Sequence, residues 1–304
     1  MHAYRIAYDG RPYHGFQRQP DVTTVEDAML SALRDLDVLA GDADTPPGYA
    51  AAGRTDAGVS ALAQTVAFEA PDWLSPAAFN SELPESIRAW ASAGVDAEFH
   101  ATHHATEREY TYFLYAPEGS EQRAQSALDA LAGSHDFHNL TPDETGTERH
   151  LATDLEQDGP FLVCRFRAGG FPRAFVRRAV SLVAERARGE APLDRIKRVL
   201  SPEPVEGPEG VGPAPPEPLV LTAVSYPGAE FAVDEGAATS ARTLFDRLHA
   251  ERTAGARVAG VLATAGEEAS LGNATSASEN SEREHDDQTD DDEWGYDDRA
   301  GDDS

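Results

Sequence analysis

An aspartate sits in the run AAGRTDAGVSALAQTVAF (residues 51–68), on a Gly-Arg-Thr-Asp-Ala-Gly corner between two stretches of strand character. A carboxylate in that position can serve as a nucleophile or as a general base. Asp56 can equally be an ordinary turn residue, because Asp bonds its own backbone and Gly tolerates positive φ. Arg54 stands two residues earlier, and its planar guanidinium suits both stacking on a base and contact with phosphate. REYTY (108–112) offers Tyr110 and Tyr112, which share one strand face and serve packing and ring stacking alike. FVRRAV (175–180) offers Arg177 and Arg178, about 100° apart around a helix. His100, His103 and His104, or His135 and His138, bring histidines without a cysteine partner, so no metal is expected. Residues 168–170 (AGG) lack the surrounding pattern of a dinucleotide or phosphate loop.

Several elements must position these groups. HAYRIAYDG alternates as a strand, and TTVEDAMLSALRDL opens with a capping box, Thr23 as N-cap and Glu26 three residues on. Val25, Met29, Leu33 and Leu36 give that helix one apolar face. YAAAGR and LAQTVAF flank the corner as strands, followed by a short helix near SPAAFNSELP and a strand near SIRAWASAGVDAEF. The second half repeats the order. REYTYFLYA is a strand, EQRAQSALDALAG a helix ended by Gly133, and RHLATDLEQDGPFLVCRFRA two strands about an Asp-Gly turn. FPRAFVRRAVSLVAERA is a helix and LVLTAVSY a closing strand, with the Pro-rich stretch before it an exposed loop. Strand–helix–strand–strand–helix–strand, given twice, predicts an α+β fold of two ferredoxin-like halves with a mainly antiparallel sheet. The expected divisions are 1–104, carrying the Asp corner, and 105–264, carrying Tyr110 and Arg177. Residues 265–304 are expected to form a disordered acidic tail, since they hold 15 acidic and 2 basic residues and few aliphatics.

The chain has 304 residues, 40% of them hydrophobic, which suffices for a core. Its one cysteine, Cys164, lies in the apolar run FLVCRF and fits packing in a reducing compartment. No stretch of 18 apolar residues predicts a membrane span, and the immediate opening strand leaves no room for a secretory signal, so a cytoplasmic protein is expected. Net charge is −29, and Lys197 is the sole lysine against 24 arginines. Residues 1–264 still carry 39 acidic and 23 basic residues, so acidity belongs to the folded part too. In concentrated salt the Debye length falls to about 3 Å and such self-repulsion is screened. The composition predicts a halophilic protein of a haloarchaeal cytosol.

The segments YDGRPYHGFQRQP (8–20), GRTDAGVSA (53–61), REYTY (108–112), GSHDFHNL (133–140) and GGFPRAFVRRAV (169–180) occur in one order. Together they resemble the tRNA pseudouridine synthase A family over about residues 2–227. The resemblance implies the pseudouridine synthase fold and a cofactor-free isomerase acting on tRNA as a homodimer. It points to uridines 38, 39 and 40 of the anticodon arm. Asp56 matches the family's catalytic aspartate, which acts at the ribosyl C1′ of a uridine taken out of its stack. Arg54 matches an arginine that helps displace the base, Tyr110 the active-site tyrosine, and Arg177 an arginine paired with the aspartate. Ser60 departs from the pattern, standing where the family usually has histidine. The alternative class is a noncatalytic RNA-binding or chaperone module on the same fold, for which Asp56, Tyr110 and Arg177 would have no use at these spacings.

Overall fold

A computed structural model describes residues 1–205 and 207–265, so the expected tail lies outside the described residues apart from its first position. The chain divides into two units after Leu244. The first unit holds a mainly antiparallel sheet that grows from two copies of one strand order. In the first copy, β1 (His2–Tyr8) is followed by helix α1 (Val25–Asp35), β2 (Ala50–Ala51) and β3 (Ser60–Phe68). Helix α2 (Pro76–Phe79) and β4 (Ile87–Gly94) complete it. In the second, β5 (Glu107–Tyr115) and α3 (Glu121–Leu131) precede β6 (Gly133–Asp136), β7 (Glu148–Asp158) and β8 (Phe161–Ala168). Helices α4 (Phe175–Arg188) and α5 (Leu193–Val199) then lead to β9 (Leu219–Ser225), and β10 (Ala232–Val233) adds an edge.

The strands line up as β10-β4-β1-β3-β9-β5-β8-β7-β6, with β2 paired to β3. The halves meet where β9 runs parallel to β3, Ser60 opposite Val220 and Ala61 opposite Leu221. On its other edge β9 runs antiparallel to β5, placing Leu221 opposite Tyr110. One strand therefore separates the strand that follows the Asp56 corner from the strand that carries Tyr110.

Helices cover the sheet through their apolar faces. α1 buries Val25, Met29, Leu30 and Leu33. Its cap is Thr24, not Thr23: the Thr24 hydroxyl accepts from the Asp27 amide at 3.2 Å and donates to the Asp27 carboxylate at 2.7 Å. Adjacent threonines each followed by an acid three residues on make the two registers equivalent in sequence, and burial of Val25 at the first helical position selects between them. α4 buries Phe175, Val176, Ala179, Val180 and Val183, the spacing of a core-facing helix. The Pro-rich segment before β9 is a largely exposed loop, as expected, tied to α4 at two points. Val211 is buried, and Ala214 bonds α4 through its amide to the Arg177 carbonyl at 3.0 Å.

Helix α6 (Glu235–Ala263) continues into the second unit and was not anticipated. Asp234 caps it, accepting from the Ala237 amide at 2.9 Å. Its buried residues are all alanines, 237, 238 and 241, so no broad apolar stripe announces it. Good helix formers along its length supply the local preference instead. Among the described residues no helix is long and apolar enough to cross a membrane.

Candidate active site

The corner that carries Asp56 is a tight turn pinned from below. The Val59 amide donates to the Asp56 carbonyl at 3.1 Å, and Gly58, with φ of +81°, takes the position that favours glycine. The loop after β1 wraps this turn. Phe16 donates its amide to the Thr55 carbonyl at 3.1 Å, and the Gly58 amide donates to Tyr13 at 3.2 Å. A Cβ on Gly10 would stand 2.0 Å from the Val59 carbonyl oxygen, so only glycine permits that approach. Beneath, the fully buried Gln64 donates to the Gly53 carbonyl at 2.8 Å, and Tyr8 shares a 2.8 Å hydroxyl–hydroxyl bond with Thr55. The Gly-rich loop is thus a brace for the corner.

Asp56 opens into a cleft of about 1230 Å³ whose walls also include Arg54, Tyr110, Phe171, Arg173 and Arg177. All four side chains singled out from sequence meet there. Arg177 Nη1 lies 3.1 Å from Asp56 Oδ2, the two side chains 17% and 33% exposed. Arg177 Nε donates to the Ala214 carbonyl at 2.7 Å, which fixes the fork between loop and carboxylate. Arg178 turns elsewhere, donating to the Val211 carbonyl at 2.5 Å. The pair is partly shielded from water, and it aims the carboxylate into the cleft.

Tyr110 is 8% exposed, and burial pushes its phenol up to about 12, with Asp56 adding in the same direction and Arg108 opposing. Its ring meets Phe171 edge-on at 5.3 Å, and Phe171 stacks on Phe175 at 6.0 Å. Phe171 is a cleft residue that sequence reasoning did not single out. It lay within the quoted GGFPRAFVRRAV segment, but an aromatic before a helix reads as packing until Tyr110 is seen beside it. Arg54 is exposed on the cleft wall. Three arginines, Arg54, Arg173 and Arg177, line the cleft. Arg18 pairs with Asp44 at 3.2 Å outside it. Ser60 accepts from the Gly10 amide at 3.0 Å, a structural bond within the brace. The histidines form no metal-binding group with other ligands among the described residues. His100 lines the cleft, while His135 Nε2 donates to the Ala132 carbonyl at 2.9 Å, away from it.

Comparison with known proteins points the same way as this geometry. A family described as tRNA pseudouridine synthase matches residues 127–227. The chain is 61% identical over 268 residues to the tRNA pseudouridine synthase A of Haloarcula marismortui, covering 85% of this chain and 98% of that one. It is 60% identical to the protein of the same name from Natronomonas pharaonis, covering 86% and 98%. A more distant relative of that name, from Archaeoglobus fulgidus, is 36% identical over 77% of this chain and 86% of its own length.

Proposed function

This chain belongs to the tRNA pseudouridine synthase A family, and on that premise we propose that it isomerises uridines 38, 39 and 40 in the anticodon arm of tRNA. The observation that carries the site assignment is the Asp56–Arg177 pair at 3.1 Å, in a cleft shared with Tyr110 and Phe171. The reaction needs no net oxidant, because substrate and product are isomers, and the resemblance implies no cofactor. The C1′–N1 bond breaks, N1 keeping the electron pair, while Asp56 either bonds C1′ as nucleophile and departs with that bonding pair when C5 attacks, or takes a ribose proton as base and returns it afterwards. The freed uracil rotates, its C5 bonds to C1′, C5 loses its proton and N1 gains one.

Each wall of the cleft has a part in that sequence. Arg177 aims the carboxylate. Tyr110, held neutral by burial, stacks on the extruded base and relays the C5 proton through its hydroxyl. Phe171 presents the rotating ring with a second apolar surface. Arg54, exposed on the wall, fills the gap the base leaves in the RNA stack and contacts phosphate. A noncatalytic RNA-binding module is disfavoured by the same pair: a carboxylate facing an RNA cleft repels phosphates, and binding alone gives it no purpose. The chain works as a homodimer in the cytoplasm, as the resemblance implies.

Mass analysis of tRNA with a pseudouridine-specific label, before and after incubation in molar KCl, tests the reading. Label gained at anticodon-arm uridines supports it. Identical signals from treated and untreated tRNA would sink it, and label elsewhere in the molecule would overturn the positions. Light scattering of the chain in the same buffer tests the dimer.

A further inference from the structure

Arg108 lies on β5 two residues before Tyr110, and both side chains face the buried side of the sheet. Arg108 is 8% exposed, and every hydrogen bond found for its guanidinium among the described residues ends on a main-chain oxygen. Nε and Nη2 reach the Ala52 carbonyl at 3.0 and 2.7 Å. Nη2 also reaches Thr102 at 2.7 Å, and Nη1 reaches Gly169 at 2.5 Å. These oxygens belong to three separate segments of the cleft. Ala52 leads directly into the Asp56 corner. Thr102 sits in the turn that brings His100 to the cleft wall. Gly169 begins the run through Phe171 that starts α4 and its Arg177.

We infer that Arg108 is the positioning residue of the reaction centre, locking the Asp56 corner, the 100–104 turn and the start of α4 onto the strand that bears Tyr110. The inference rests on the isomerase reading above. Arg108 needs no contact with substrate to act this way. Its fork offers five donors in one plane and keeps its proton in any protein environment. An ammonium at the end of a lysine offers three donors from one point and loses its proton more readily on burial. Carbonyl ligands also leave the cation's charge uncancelled beside Tyr110, where it opposes the upward shift of the phenol. A misplacement of about 1 Å among reacting groups costs about a hundredfold in rate.

Arg108→Lys and Arg108→Met, in the full chain at molar KCl, test the assignment against wild type. Melting temperature, tRNA dissociation constant, single-turnover rate of pseudouridine formation and amide hydrogen exchange are read on each. Arg108→Lys is expected to fold and to bind tRNA within about threefold, while its single-turnover rate falls at least about tenfold. Arg108→Met is expected to lose about a hundredfold in rate. Amides at 52–58, 100–104 and 169–175 should exchange faster together in both variants. A lysine variant with wild-type rate, or a rate loss matching its unfolded fraction, overturns the inference. So does faster exchange confined to one of the three segments. If Arg108→Met fails to fold, Arg108→Lys alone decides. A wild-type chain that forms no pseudouridine would sink the isomerase reading instead, and the exchange pattern would then judge the clamp by itself.

Discussion

Replacing Asp56 by asparagine removes a charge and little else. The amide is nearly isosteric and can still accept at the turn, so the corner, braced by Tyr8, Gln64 and Gly10, should persist. Asp56→Asn is therefore expected to abolish pseudouridine formation while tRNA affinity stays within about tenfold, about 1.4 kcal/mol. Substantial turnover by the folded variant, measured as label in tRNA, would return Asp56 to an ordinary turn residue. Tyr110 makes a separate prediction. Its phenol lies near 12 when folded against an ordinary 10.0, as do those of Tyr112 and Tyr226. All three stay neutral at lower pH, so their contribution to stability is constant below pH 10 and is lost as pH rises from about 10 to 12. Alkaline unfolding followed by tyrosinate absorbance should show that limb, and Tyr110→Phe should shrink it. The residue scale was also where sequence spoke least completely. Arg177 and Arg178 are adjacent and alike, and only the Ala214 carbonyl, 37 positions away, holds the first against Asp56.

Between strand and helix the site depends on a strained joint. Ala174, at the start of α4, takes φ of +56°, a left-handed conformation in a residue with a Cβ. The joint is held from outside: Thr141 donates to the Arg173 carbonyl at 3.0 Å, and Asp143 accepts the Arg173 amide at 2.8 Å. Left-handed backbone costs an alanine about 1–2 kcal/mol, and glycine would escape that at about 0.4–1 kcal/mol of chain entropy. Ala174→Gly is thus expected to raise stability by up to about 1 kcal/mol in denaturant unfolding, whereas a β-branched residue there should lower it. A loss of about 0.4–1 kcal/mol in the glycine variant, the entropy cost alone, would mean the joint carries no strain. Elements with a buried apolar face were legible because their apolar residues recur at the period of the element, as in α4 with Phe175, Val176, Ala179, Val180 and Val183, whereas α6, which buries only alanines, was not. Nor was one short strand. β6 has four residues, too few for a period, and exists because β7 supplies its partner; β2, only two residues long, falls within the YAAAGR run read as a strand. The Pro-rich segment is the loop its composition announces, but nothing local says that Val211 and Ala214 are drawn onto α4.

For the molecule as a whole, charge sets the conditions of stability. With 39 acidic against 23 basic residues in positions 1–264, dilution should unmask repulsion that concentrated salt screens. Melting temperatures should climb from dilute buffer to molar KCl, and a flat or falling series would contradict the halophilic reading. Removing residues 265–304 should leave single-turnover rates nearly unchanged, because every cleft residue lies within the unit ending at Leu244. A large loss of rate with unchanged melting would assign those residues to the enzyme.

The place of β9 governs when, during synthesis, this chain can become functional. Leu221 lies beside both Ala61 and Tyr110, yet it follows them by more than a hundred positions in the chain. A nascent chain carrying both the Asp56 corner and the Tyr110 strand still lacks the wedge that sets their spacing. Domains generally fold as units while the ribosome advances, and pairings this distant form late. Until residues 219–225 clear the exit tunnel, the two halves have no common frame.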